Sequence, residues 1–548
     1  MASPLHKNDN ILTYYNQIKQ RIDLNIDMNS QKVIGQTKLA FILNNEINEE
    51  IPESLFLYLN SENIYINNIK IEKEKEKNKT KKINDKYYID LEYKNSSPYH
   101  YYKNYLDQLY GNIEEMESFK NINRVEWEIK QKGNLKITIP KKYIIESSDS
   151  LKNKNNDNFN KNYNKKENKN LLINKIKIII NYEIIEKSIG IIFQQFYESS
   201  IDMQYKVCYT PNFYCNTQYW VPCIYNLNLI INWSLYIYIP NDYMAYSSCL
   251  LYQIIKDING KKLVISKTNE PTTARNIGFI IINDDKIFKR YYDQNNKNFI
   301  IVANKNKKEK IEKNLINNKL IGTLYNFYDE FFDINENNLK TNYNCITSII
   351  FIPYILFNYP FVGFNKFLKA KEENYLNFIK FPYLYILPEK YIYNKSIPEM
   401  SKFQLRNISK IFINNYIGGL IIEKSYADFW IINGIESWLS NLFLNKVFDN
   451  YYIKSKLYKW LLKLKKFCKT GQETLPLYTN NFSHPVDMQI NPIFDLKSKI
   501  LFHLLETQVE KTFIQKALRN IINERNKKGY IISTEYLIKI FKKNCGII

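Results

Sequence analysis

A helical zinc-peptidase centre needs two imidazoles one turn apart on one helix face, with a carboxylate beside the first. The chain has four histidines, His6, His100, His484 and His503, no two of them at i, i+4 spacing and none in an HExxH arrangement. Metal chemistry of that form is therefore not expected, and the isolated His484 and His503 are expected at the surface or in satisfied packing positions. The seven cysteines are scattered, and the tightest group, Cys208, Cys215 and Cys223, lacks CxxC spacing. Buried free thiols in a reducing compartment are the expectation there, not a zinc knot or a disulfide frame. Cys468 lies among lysines that would lower a thiol pKa, yet no histidine is near it in sequence to act as a base. Gly418-Gly419 stands alone and is no phosphate loop.

Charge is the other feature with chemical content. Lysine and arginine number 77 against 55 acidic residues, a net charge of +22. Such an excess suits a polyanionic partner or an anionic membrane surface. Composition offers a competing cause: Lys, Asn, Ile, Tyr and Phe all have A/T-rich codons, and the lysines sit mainly in low-complexity runs. The polar start, Met1–Asn10, has no signal-peptide segment. The most apolar stretch, around Ile346–Phe357, contains Thr, Ser and Pro and is too short to span a bilayer. A soluble, intracellular chain without a membrane partner is expected.

The elements that would position any site divide by period. At 548 residues two to four domains are expected. From Ile22 to Leu43 apolar residues alternate in two runs broken at Asn29–Lys32, which predicts a hairpin. Ile231, Trp233, Leu235, Ile237 and Ile239 predict another strand, stopped by Pro240, and Gly278–Ile282 a further one. The second half turns helical, with helices predicted over Phe403–Ile422, Ile431–Phe448, Tyr451–Phe467 and Leu496–Leu518. Three inserts rich in Asn, Lys and Glu, about 71–86, 147–170 and 304–319, are expected to be disordered loops.

One segment carries a family resemblance: Leu405–Phe448, LRNISKIFINNYIGGLIIEKSYADFWIINGIESWLSNLFLNKVF. The gluzincin aminopeptidases have a helix reading HELAHQWFGNLV and a second opening DLWLNEGFA. Tyr416-Ile417-Gly418 resembles the WFG, and Asp428–Ile435 resembles the second motif. Placing Gly418 on the motif glycine puts Lys410, Ile411 and Asn414 at the first histidine, the general-base glutamate and the second histidine. The third ligand, nineteen positions after Asn414, is Asn433. The substrate-recognition loop would fall near Ile379–Tyr383, where IKFPY has neither its glycine nor its glutamate. The catalytic tyrosine would fall near Asp495 if Leu504-Leu505-Glu506 is matched to the family's MLE. Three outer segments extend the likeness: the hairpin ending IGQTKLAF, Asn216–Cys223 (NTQYWVPC), and Glu270–Phe279. SYADFWIINGI and NTQYWVPC are nearest to the inactive, TFIID-associated branch of that family.

The resemblance implies an α+β multidomain fold, a β-saddle domain over 11–288 and a thermolysin-like α/β domain over 289–548. It implies no catalytic activity, no zinc or other cofactor, and no small-molecule substrate. It further implies a nuclear scaffold that positions TFIID at the core promoter for transcription initiation. Its partners would be other TFIID subunits and promoter DNA, the DNA touched mainly through phosphates; no nucleic-acid-binding residue can be singled out. Two alternatives stay open: a divergent zinc aminopeptidase with a rebuilt site, and a pseudo-peptidase binding scaffold outside transcription.

Overall fold

The computed structural model describes residues 11–44, 54–59, 64–73, 135–140, 175–185, 190–199, 203–212, 216–224, 229–258, 260–283, 287–293, 296–312, 320–332, 346–355, 378–392, 398–448, 450–468, 492–523 and 531–545, with a few isolated positions between them. The fold is mixed α/β, with several sheets and helices. The first helical turn, α1 (Ile11–Tyr14), leads straight into β1 (Tyr15–Asp27).

The predicted hairpin is present. β1 pairs antiparallel with β2 (Lys32–Leu43), and Ile22, Leu24 and Ile26 alternate into the core. Asp27 makes the turn by accepting hydrogen bonds from the backbone N–H of Asn29 at 2.9 Å and from the Ser30 hydroxyl at 2.7 Å. β3 (Ser54–Leu59) pairs with β5 (Leu135–Pro140) as a ribbon. β4 (Ile64–Lys73) and β6 (Lys175–Ile184) extend the sheet beyond β2. On the other side β1 runs parallel to β9 (Asn232–Pro240), followed by β12 (Lys261–Lys267) and β11 (Leu250–Ile258), for seven strands. One face of this sheet packs on the ribbon through Leu39, Phe41, Ile176 and Ile178 against Leu55, Leu57 and Ile137. The other packs on a four-stranded sheet of β10 (Tyr243–Ser247), β13 (Phe279–Asn283), β8 (Met203–Tyr209) and β7 (Ile192–Glu198).

From Phe288 a new sheet begins, in the order β14 (Phe288–Asp293), β15 (Asn296–Asn304), β16 (Thr347–Ile352), β18 (Leu384–Pro388) and β17 (Ile379–Phe381). Its three central strands are parallel and both edges antiparallel. The two-residue period sorts its side chains into two cores. Val302, Ile350, Ile352, Leu384 and Ile386 pack with the N-terminal sheets. Ile301, Ala303, Ile349, Phe351, Tyr385 and Leu387 pack with the helices.

Those helices are α2 (Lys308–Ile311), α3 (Leu320–Phe332), α4 (Pro398–Ile413), α5 (Phe429–Val447), α6 (Asn450–Cys468), α7 (Pro492–Gln508), α8 (Lys511–Asn523) and α9 (Thr534–Cys545). A parallel bridge of β19 (Ile422–Glu423) with β20 (Ile531–Ile532) closes the helical part. α5 is its centre, hydrophobic nearly all round, with Trp438 and Leu439 fully buried.

Three expectations are corrected. The helix predicted over Phe403–Ile422 ends at Ile413, where consecutive asparagines and a left-handed glycine break it. The helix predicted over Leu496–Leu518 is two helices: Thr507 bonds its hydroxyl back to Leu504 O, and α8 restarts with Glu510 O accepting from Phe513 N. The third insert is ordered in its first part. Asn304 accepts from Asn306 N at 3.0 Å, and Ile311 is fully buried. The same holds for the start of the first insert, expected over 71–86: residues 71–73 belong to β4 and Ile71 is buried. Positions 74–86, 147–170 and 313–319 lie outside the described residues.

Candidate degenerate peptidase site

The site predicted from the Leu405–Phe448 resemblance sits where α4 ends against α5. The last turn of α4 tightens: Asn414 N donates to Ile411 O (3.0 Å), Asn415 N to Phe412 O (3.2 Å) and Tyr416 N to Ile413 O (2.9 Å). The chain then reverses at Gly418, whose φ is +101°. A Cβ there would lie 2.7 Å from Asn414 Oδ1, which could shift, and 3.6 Å from Ile432 Cγ2, so it is the backbone conformation that calls for glycine. Asn414 is buried, with its amide oxygen against this turn; Asn433 follows Ile432 on α5 and is half-buried. Lys410 is half-buried in the last turn of α4. Ile411 instead joins the helical core at 1 % exposure.

These side chains do not fit a zinc ion. Zn²⁺ takes neutral imidazoles and carboxylates or thiolates, whereas Lys410 brings a cation, Ile411 has no lone pair, and Asn414 and Asn433 are weak carboxamide donors. Among the described residues no group of three His, Cys, Asp or Glu side chains is placed to hold a metal.

The segment at the substrate-loop position, Ile379–Tyr383, forms the edge strand β17 and its turn. Lys380 donates to Glu436 Oε1 of α5 at 2.5 Å, and Glu436 is nearly buried. This ion pair ties the edge strand β17 to α5. Asn415 secures the turn from below. Its Oδ1 accepts from Tyr383 N (3.0 Å) and from the Tyr385 hydroxyl, and its Nδ2 donates to Thr347 Oγ1 (3.4 Å). Tyr383 itself takes φ +60°, a rare conformation for a bulky residue. Sequence reasoning missed both Asn415 and Glu436; each looks like an ordinary polar position on a helix.

The second motif has structural work. Asp428 Oδ1 accepts from Thr534 N and Thr534 Oγ1, both at 2.7 Å, and its Oδ2 from Ser425 Oγ at 2.7 Å. Trp430 Nε1 donates to the same Thr534 hydroxyl at 3.0 Å. Gly434 lets α5 touch α7, since a Cβ there would meet Phe502 Cδ2 at 2.4 Å. One turn further, Trp438 Nε1 donates to Glu506 Oε2 at 2.9 Å, and His503 Nδ1 lies 3.5 Å from the same oxygen. His503 Nε2 pairs with Asn441 Nδ2 at 2.7 Å, so this histidine is a satisfied packing group. Burial alone pushes the Glu506 carboxyl up, but hydrogen bonds from His503 and Trp438 hold it below the usual range. Asp495 lies in the first turn of α7 with its side chain outside the described residues, as are His6, His100, His484, Cys215 and the Cys468 side chain.

The Glu270–Phe279 segment meets the site from the N-terminal sheets. The Arg275 guanidinium, 9 % exposed, pairs bidentately with the fully buried Glu423 of β19, its Nη2 lying 2.9 Å from Oε2. Next to it Asn276 Nδ2 donates to Gly418 O at 3.1 Å and Thr272 Oγ1 at 2.9 Å. Cys208, Cys223 and Cys249 are free and buried. Burial pushes the Cys208 thiol well up and the Cys249 thiol to about 12, so neither is a nucleophile at neutral pH. No helix among the described residues is long and apolar enough to cross a membrane.

No family model matches the chain. The chain is similar to transcription initiation factor TFIID subunit 2 of Schizosaccharomyces pombe, 26% identical over 194 residues, which is 34% of this chain and 16% of that protein.

Proposed function

We propose that the chain is a non-catalytic scaffold subunit of a TFIID-type assembly in the nucleus, built on an aminopeptidase frame that has lost its metal. The observation that carries this reading is the junction of α4 and α5. There Lys410, Ile411, Asn414 and Asn433 occupy the motif positions, while Gly418, Asp428, Trp430 and Gly434 keep structural roles. Framework residues have definite packing and hydrogen-bonding tasks; the residues that would grip zinc have none of the needed chemistry. The likeness to TFIID subunit 2 supports placing this frame in transcription initiation. On this reading the saddle-like sheets to about residue 288 and the thermolysin-like part after it are one platform. Its partners are other TFIID subunits, with promoter DNA held through phosphates.

Affinity purification of the full chain from nuclear extract, read by mass spectrometry, tests the assembly. Co-purifying TFIID subunits at near-equal amounts are expected, and a consistent set of cytosolic partners instead would overturn it. Elemental analysis with an aminoacyl chromogenic substrate tests the absence of catalysis. Zinc at one equivalent together with turnover would establish the enzyme alternative.

A further inference from the structure

Helix α6 has two apolar faces where a helix at the edge of a core needs one. Ile453 joins the main helical core, and Trp460 with Leu457 and Leu464 packs on Leu496 and Ile500 of α7, which together make the inner seam. Further round the helix Tyr451 is 83% exposed, Tyr458 62%, Leu461 50% and Leu462 48%. The spacing 451, 454, 458, 461/462, 465 follows the i, i+3/i+4 rhythm of a second stripe, with Lys454 and Lys465 exposed within it. Burying such side chains contributes about 1.5–3 kcal/mol each, so leaving four together in water has a cost that a covering surface would offset.

The charge around the stripe is of one sign. α6 carries six lysines and no acidic residue. No ion pair joins those lysines to a carboxylate among the described residues. Lys456, half-buried, has its pKa pulled below the usual lysine range, first by burial and then by Arg406, Lys459 and Lys463. Positive charge is thus crowded against itself along the helix.

We propose that the outward face of α6 docks an acidic amphipathic helix of a partner protein, its apolar stripe on Tyr451, Tyr458, Leu461 and Leu462 and its carboxylates on the flanking lysines. Charge complementarity selects the occupant. A second copy of this chain would bring lysines against lysines. A nucleic-acid backbone would satisfy the lysines but leave the leucines uncovered. A bilayer wants a continuous apolar face, and here lysines interrupt the stripe itself. A helix with a and d leucines and e and g glutamates matches both components. The proposal goes beyond the TFIID reading and stands whether or not that reading holds.

The test is fluorescence anisotropy with the full chain and four probes: a labelled helical peptide with Leu at a and d and Glu at e and g, its charge-reversed counterpart with Lys at e and g, mixed-sequence duplex DNA, and phosphatidylserine-containing vesicles. The peptide is expected to bind. Lys454→Glu with Lys465→Glu should weaken it roughly tenfold or more while improving binding of the charge-reversed peptide. Leu462→Ser should weaken both peptides. All three positions are exposed, and unchanged thermal melting would confirm an intact fold. Failure of the peptide to bind, or binding indifferent to these substitutions, would overturn the proposal. So would DNA or vesicle binding abolished by the same substitutions while the peptide is unaffected.

Discussion

The pair of Arg275 and Glu423 offers the sharpest measurement. It joins a turn of the N-terminal half to the short strand β19 that follows the degenerate site, across 148 positions of sequence. Both side chains are almost removed from water, so solvent does not screen the pair. Glu423→Leu leaves a guanidinium without its carboxylate, and Arg275→Met leaves a carboxylate without its cation. Each should cost about 3–5 kcal/mol. On the scaling for domains of 150–250 residues that is a melting-temperature loss of roughly 6–20 °C. The double substitution removes both charges and replaces them with apolar groups of similar bulk, so it should recover most of the loss. Because the double variant should be milder than either single, the cycle is expected to give a coupling of at least about 3–5 kcal/mol. Calorimetric or fluorescence melting of the four proteins measures it. Single variants within about 0.5 kcal/mol of the parent, or a double variant equal to the sum of the singles, would refute the claim that this pair latches the two halves.

Three further outcomes follow from the same junction. Gly434→Ala should destabilise by about 1–3 kcal/mol in melting experiments, because its Cβ would collide with Phe502 and reach Ser498 O at 3.0 Å. Asn415→Leu should cost about 2–4 kcal/mol by removing the acceptor of the Tyr383 N–H and the Tyr385 hydroxyl, and should loosen β17 as read by amide hydrogen exchange. Glu506 sits below its ordinary range in the folded chain. Its contribution is therefore full above the unfolded carboxyl pKa of about 4.3 and fades as pH falls through the lower folded value. Glu506→Gln should flatten the acid limb of the stability profile there, and an unchanged limb would contradict the Trp438 and His503 bonds.

Periodicity made the regular elements legible. The β1–β2 hairpin, β9 and α6 each bury one repeat of residues, and alternation at two or at three to four positions announces that directly, while α5 is announced by a long apolar run buried on nearly all sides. Gly418 and the Asp428–Gly434 run also stood out by spacing, and the structure gives Gly418, Asp428 and Gly434 definite packing or hydrogen-bonding tasks. What lay hidden was tertiary. That α4 ends at Ile413 depends on Asn415 finding Tyr383, Tyr385 and Thr347, all distant in sequence. Lys380–Glu436 and Arg275–Glu423 join ordinary charged residues that no local pattern distinguishes. The break between α7 and α8 rests on competing local hydrogen bonds, which an apolar repeat running through both helices conceals.

The five-stranded sheet also sets an order on synthesis. The N-terminal layers are complete in sequence by Asn283, yet part of their core is supplied by Ile350, Leu384 and Ile386. At about 5–20 residues per second, roughly a hundred further residues take on the order of 5–20 s to leave the ribosome. Through that interval part of the apolar face of the N-terminal sheets lacks the strands that cover it in the folded chain.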